Sequence, residues 1–115
     1  MIELIVKNWL SEHLPAPAYA ELPSPIPPAC VVVEKTGGGR EGPGIRTAML
    51  AVQSYGPSRL EAMRLNENVI HTMLRMVELD AVSSIDLNSD YPFFDQSNKR
   101  HRYQAVFDVV YFDNE

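Results

Sequence analysis

The sequence lacks several features that define common classes of protein. It has one cysteine, Cys30, so no disulfide can form within the chain, which is typical of a reducing compartment. It has no apolar run of about 18 residues, and Glu3 and Lys7 interrupt the first apolar stretch. We therefore expect neither a signal peptide nor a membrane partner. The formal net charge of −5 disfavours a general nucleic-acid binder, which needs a basic surface.

The first 28 residues divide into a helix and a proline-rich arm. One face of residues 1–14 carries apolar side chains at helical spacing: Ile2, Ile5, Val6, Trp9 and Leu10. Pro15 ends this helix, because proline lacks an N–H and restricts the residue before it. Residues 15–28 contain six of the nine prolines. This arm is expected to run extended over the surface, as a stiff connector, as a contact to a neighbouring subunit, or as a ligand for a proline-recognising domain.

Residues 29–115 have the pattern of an α+β core, and the 115 residues together are expected to form a single domain. Two β-rich runs, 29–36 and 45–55, flank eight residues that include five glycines, which predicts a long, mobile hairpin loop. Ser58 and Glu61 form a capping box that opens a helix reaching about Glu78. Further strands are predicted at 81–87 and 102–112. The order α-β-β-α-β-β predicts a four-stranded, mostly antiparallel sheet packed by one long helix.

The predicted strands are apolar on both faces, whereas only one long helix is available to cover them. Residues 45–55 and 102–112 carry large or apolar side chains at both odd and even positions. One face is expected to meet the core, and the other to meet the first helix, the arm or another chain.

No catalytic, cofactor or metal site is predicted, so the sequence favours a protein that is not an enzyme. Residues 37–42 match G-x-G-x-x-G, but a dinucleotide site also needs a helix directly afterwards, and here a proline and a β-rich run follow. The histidines are isolated, and the aspartates fit no calcium-loop pattern. The basic cluster Lys99–Arg102 suits either a contact to DNA phosphate or an acidic partner, or a role in keeping an apolar strand soluble.

Short motifs along the chain form a characteristic series. They are Leu14-Pro15, Val32-Val33-Glu34-Lys35-Thr36-Gly37-Gly38, Ala51-Val52-Gln53-Ser54-Tyr55-Gly56, Ser58-Arg59-Leu60-Glu61-Ala62 and Arg102-Tyr103. Together with the order of the elements, this series resembles the tail terminator (minor tail or tail completion) proteins of long-tailed bacteriophages. The resemblance extends over most of the chain.

The resemblance implies a non-enzymatic structural protein of the virion tail, assembled in the host cytoplasm. Such a protein forms a ring, typically a hexamer, that caps the tail tube, ends tube polymerisation and offers a surface to the head connector. Its partners would be copies of itself, the tail tube protein and the head connector or completion protein, while DNA passes through without specific binding. Alternatives are a head–tail completion protein of the same assembly, and a small cytosolic ligand-binding or enzymatic α+β domain with a site near Asp90 to Asp95.

Two sets of residues are candidates for contacts in such an assembly. The glycine loop is expected to become ordered on meeting the tube or the connector; its candidate contact residues are Gly37, Gly38, Gly39, Arg40, Glu41 and Gly42. The proline arm and the last strand are expected to supply the subunit interface, through Pro23, Ile26, Tyr103, Phe107, Val109 and Tyr111.

Overall fold

The structure, a computed structural model, describes residues 1–113. In chain order it comprises α1 (Ile2–His13), β1 (Ala18–Tyr19), β2 (Cys30–Gly42), β3 (Ile45–Gly56), α2 (Arg59–Leu74), a short 3-10 helix (Arg75–Glu78), β4 (Val82–Pro92) and β5 (His101–Phe112). The predicted α+β class is confirmed. Among the described residues, no helix has the length and apolar character that a membrane crossing requires.

The sheet has five strands in the order β1-β2-β3-β5-β4, one more than the sequence predicts. The pairs β2–β3, β3–β5 and β5–β4 are antiparallel, whereas β1 pairs with β2 in parallel. This extra strand is only two residues of the proline-rich arm, Ala18 and Tyr19, which lie beside Val31 and Val32. Two residues are too few to show a periodic pattern, so this strand has no signal in the sequence.

Both α-helices pack on one face of the sheet and enclose the main core. The predicted stripe of α1 is confirmed, because Ile2, Val6 and Leu10 are fully buried. Trp9 joins the two helices, since its indole Nε1 donates a hydrogen bond of 2.8 Å to the carbonyl of Thr72 on α2. The apolar ring of the indole is therefore buried in the core, and its polar N–H has a hydrogen-bond acceptor there.

The start of α2 follows the predicted capping signal. Ser58 has extended backbone angles and its hydroxyl accepts a hydrogen bond from the Glu61 N–H, while the same hydroxyl donates to the Glu61 carboxylate at 3.1 Å. Gly56, at the end of β3, lies directly against this first turn: a Cβ at this position would be 2.6 Å from the Ala62 nitrogen. The glycine therefore permits a close strand–helix approach that other residues would block.

The prediction of a long, mobile glycine loop at 37–44 is wrong. Residues up to Gly42 continue β2 and pair with β3, and the hairpin turn consists of Pro43 and Gly44 alone. Gly44 has φ +73°, as the third position of a type II turn requires when proline precedes it. The glycines stay in the strand because their backbone N–H and C=O groups find a long partner in β3. The pairing shifts register between Lys35 and Gly37 and again between Arg40 and Gly42.

Strand β4 is also longer than predicted. It continues past Leu87 to Pro92, although residues 88–90 are polar and typical of a turn. A register shift between Leu87 and Ser89 accommodates this stretch. Polar side chains are tolerated because β4 is an edge strand with water along one side.

Candidate interaction surfaces

The face of the sheet opposite the helices is only partly covered. At one end the proline-rich arm lies over it, and Tyr19, Leu22 and Ile26 pack against Cys30, Val32 and Tyr55. The arm is therefore folded onto its own sheet. Beyond the arm, the cross-strand pairs Met49–Asp108, Ala51–Val106, Thr47–Val110 and Ile45–Phe112 define the remainder of this surface, called the open face below.

The open face combines apolar and acidic side chains. Met49 is 39% exposed and Phe112 is 45% exposed. Glu34, Asp86 and Asp108 are exposed carboxylates at positions on the same side of the sheet. Solvent-accessible apolar groups surrounded by charge are typical of an interaction surface.

The predicted subunit interface on β5 needs correction. Tyr103, Phe107, Val109 and Tyr111 are all less than a tenth exposed, and they face the helices. Alternation along β5 separates two faces correctly, but both carry apolar residues, so the pattern alone could not identify the core face. The residues of β5 that point away from the helices are Gln104, Val106, Asp108 and Val110. Pro23 and Ile26 are half-buried in the arm.

Apart from the two-residue β1, two stretches of strand have an outer edge with no strand beside it in the described chain. One is β4 along its whole length, and the other is β2 beyond Val32, where β1 ends. The predicted contact residues 37–42 form the distal part of this second edge, and all except the half-buried Gly42 are exposed. An unpaired strand edge presents N–H and C=O groups that can pair with another strand.

A polar network fixes the connection between β4 and β5. The Tyr55 hydroxyl donates to Asp95 Oδ2 at 2.9 Å, and Asn98 donates to both carboxylate oxygens from its backbone and side-chain nitrogens. Burial by itself would raise the pKa of Asp95, but these hydrogen bonds and the Arg102 charge outweigh it, so the pKa is lowered. Burial, together with the bond to Asp95, raises the pKa of the Tyr55 hydroxyl.

This network also bears on the alternative site near Asp90 to Asp95. Asp95 is buried and its oxygens are occupied, while Asp90 accepts a hydrogen bond from Asn66 at 3.0 Å. In residues 1–113, no group of three or more histidine, cysteine, aspartate or glutamate side chains is placed to hold a metal ion. The aspartates are thus used to hold segments of the fold together.

The two arginines of the basic cluster Lys99–Arg102 bind different parts of the chain. Arg100 reaches across to the arm and donates hydrogen bonds to the carbonyls of Ile26, Pro27 and Pro28 at 3.2, 2.7 and 3.0 Å. Arg102 donates to the Phe93 carbonyl at 2.7 Å, and its guanidinium lies 4.2 Å from the Phe93 ring centroid. The sequence did not reveal these roles, because the partners of Arg100 are more than 70 residues away along the chain.

A pocket of about 350 Å³ lies between the first turn of α2 and the adjoining ends of β4 and β5. Its lining residues are Arg59, Pro92, Phe94, His101, Arg102 and Tyr103. The pocket is at the Gly56–His101 end of the sheet, the end opposite the Pro43–Gly44 turn. No local pattern in the sequence marks this pocket, since its walls come from three separate elements.

No protein-family model matches the chain, and no curated protein matches it significantly. The class that the fold defines is a small α+β protein with a mixed sheet, two helices on one face and two unpaired sheet edges.

Proposed function

We propose that the protein is a non-enzymatic structural component of a long-tailed bacteriophage. In this proposal, copies of the chain form a ring, for which a hexamer is the expectation, that caps the tail tube, ends its polymerisation and provides the head–tail joining surface. The other partners are the tail tube protein and the head connector or completion protein, and the protein resides in the virion tail after assembly in the host cytoplasm. The resemblance of the sequence motifs to tail terminator proteins supports this function.

The observation that carries the proposal is the pair of unpaired edges on opposite sides of one sheet. Because β2, β3, β5 and β4 alternate in direction, β4 runs antiparallel to β2. Rotation about an axis along the strands would therefore place the β4 of one copy antiparallel to the β2 of the next. Such a contact joins two different surfaces, and heterologous contacts of this kind close into rings when the rotation permits.

The two edges lie at the same level of the sheet. Cross-strand partners place Lys35 in the same row as Leu50, Phe107 and Leu87, so the unpaired part of β2 is level with the first half of β4. Strand β4 carries Asp86 and Asp90, whereas the charges on the unpaired part of β2 balance, with Lys35 and Arg40 beside Glu34 and Glu41. Gly37, Gly38 and Gly39 have no side chains to keep a neighbouring strand away.

The charge of the chain suits the proposed passage of DNA. The net charge is −5, and three exposed carboxylates lie on the open face. Like charges repel phosphate, so DNA would slide past such a surface without adhering.

The oligomeric state in solution tests this function. Size-exclusion chromatography with light scattering, followed by electron microscopy, is expected to show a closed ring at high protein concentration and low salt. Asp86→Lys places a lysine on the β4 edge, which blocks strand pairing, and is expected to shift the protein toward the monomer. Asp80→Lys makes the same charge change in an exposed turn outside the sheet and should leave the ring intact. A strict monomer for the unmodified chain would refute the ring, and a ring that tolerates both substitutions equally would refute the edge contact.

Tail assembly tests the role at the end of the tube. Deletion of residues 38–42 shortens the β2 edge and the tip of the hairpin. The expected result is loss of control over tail length in particles assembled with this variant. Tails of normal length and infectious particles would remove any role for the glycine segment.

A further inference from the structure

The pocket beside the first turn of α2 has a lining that is unusual for this acidic chain. Three of its six residues, Arg59, His101 and Arg102, carry or can acquire positive charge, and none is acidic. The others, Pro92, Phe94 and Tyr103, provide apolar walls. Convergent cationic groups over an apolar floor are suited to a ligand that is anionic at one point and apolar beside it.

The cationic side chains of the pocket differ in how far they are already engaged. Arg102 is held by the Phe93 carbonyl and lies 3.8 Å from Asp95, so that carboxylate compensates part of its charge. His101 is in edge contact with the Phe94 ring. The side chain of Arg59 is exposed and forms no hydrogen bond or ion pair with residues 1–113. Its guanidinium is therefore available to a ligand.

We propose that this pocket binds an acidic peptide segment of a partner protein, with a carboxylate at Arg59 and an adjacent apolar or aromatic side chain against Phe94 and Tyr103. A volume of about 350 Å³ lies at the small end of ligand sites. It suits one side chain with its neighbouring charged group better than a whole cofactor. Aromatic residues and arginine are also the side chains that contribute most to peptide and protein contacts.

Charge distribution favours a peptide over nucleic acid. Binding to DNA requires neutralisation of several consecutive phosphates by a basic stripe. Here Arg100, the neighbouring cation, is already bonded to three carbonyls of the arm, and the chain as a whole is acidic. One anionic group at a time can be satisfied at this site.

Binding of a defined peptide tests the inference on the full chain. The probe is an acetylated and amidated peptide of alternating glutamate and phenylalanine, titrated into ¹⁵N-labelled protein and followed by two-dimensional NMR. Saturable shifts are expected for the amides of Arg59 and of residues 101–103. Arg59→Gln is expected to weaken binding about tenfold, as loss of one charge-assisted hydrogen bond predicts. Arg64→Gln, an exposed arginine on another side of α2, serves as the matched control and should bind normally.

Several outcomes would count against the inference. A peptide with glutamine in place of glutamate that binds equally well would exclude an anionic ligand. Equal weakening in Arg59→Gln and Arg64→Gln would indicate general electrostatic attraction. A duplex oligonucleotide that binds the same residues more tightly would replace the peptide by nucleic acid, and no saturable shift at millimolar peptide would exclude the site. Spectra of the unbound variants that superimpose on the unmodified protein show that folding is intact. Because the pocket is at the sheet end opposite the hairpin turn, the result does not depend on ring formation.

Discussion

Removal of the Arg100 side chain is expected to release the proline-rich arm while the rest of the fold persists. The guanidinium of Arg100 bonds to three successive carbonyls of the arm, and it lies 5.8 Å from the centroid of the Tyr55 ring. Cys30, the first residue of β2, is fully buried beneath the arm. The thiol of Cys30 therefore provides a local probe of whether the arm is open or closed.

The expected magnitude follows from the hydrogen bonds that are lost. Bonds to a charged donor contribute about 1.5–3 kcal/mol each when well buried. In Arg100→Ala the carbonyls of Ile26 and Pro28 can be hydrated instead, because the arm is at the surface, so the net loss is expected to be about 2 kcal/mol for the set. A loss of about 2 kcal/mol raises the equilibrium constant for arm opening about 30-fold.

The assay is the rate at which a thiol reagent modifies Cys30 under native conditions. Labelling requires exposure, so the rate is expected to rise about 30-fold in Arg100→Ala. The pKa of the Cys30 thiol is raised by burial, and the nearby Arg100 charge offsets part of this rise. Loss of that charge would raise the pKa further and reduce the reactive thiolate. An increase in labelling therefore reports opening, not activation of the thiol.

Arg64→Ala is the matched control, since it removes an exposed arginine side chain that forms no hydrogen bond or ion pair with residues 1–113. A folded Arg100→Ala protein whose Cys30 reacts no faster than in the control would refute the role of Arg100 in holding the arm. Urea denaturation separates the two levels of opening: if labelling in Arg100→Ala only tracks global unfolding, the arm is not an independent unit.

Three further predictions concern the protomer. Gly56→Ala is expected to lower the free energy of unfolding by about 2 kcal/mol in urea denaturation, because the new Cβ would lie 2.6 Å from the Ala62 nitrogen. Gly42→Ala is the control and should have little effect, since a Cβ at position 42 would have no atom within 4 Å. Phe107→Ala is expected to cost about 3–5 kcal/mol in the same assay, since this fully buried ring would leave a cavity in the core. The lowered pKa of Asp95 stabilises the fold above the ordinary value of 3.8, and this contribution is lost as pH falls through the lower folded-state value. Stability measured against pH should therefore decline below about pH 4 less steeply in Asp95→Asn than in the unmodified protein; identical slopes would contradict the role of the network.

Local signals in the sequence were sufficient for the order of the main elements. The stripe of α1 and the Ser58 cap of α2 depend on residues within one or two turns, and the structure confirms both. The antiparallel pairing of the four long strands also agrees with the predicted plan. Such features can be predicted because neighbouring residues determine them.

Features that depend on distant partners could not be predicted. Which face of β5 meets the helices was hidden because Phe107 and Val106 are both apolar, and only the packing of α1 and α2 decides between them. Docking of the arm depends on Arg100, more than 70 residues further along the chain. The pocket lining likewise combines Arg59 with β5, so no spacing in the sequence marks it.

The glycine segment illustrates how an apparent loop signal and an interaction surface can coincide. Glycine weakens a strand interior by roughly 0.5–1 kcal/mol relative to alanine, and residues 37–39 pair with β3 on one side only. This part of the hairpin therefore contributes little to the stability of the protomer. A second strand on its open side would satisfy the remaining backbone groups without any clash of side chains. The same three glycines that lower the stability of this strand edge in the isolated protomer would thus allow a strand of a neighbouring copy to pair with it. For this reason the proposed ring contact is assigned to the backbone of β2 and not to the buried side chains of β5.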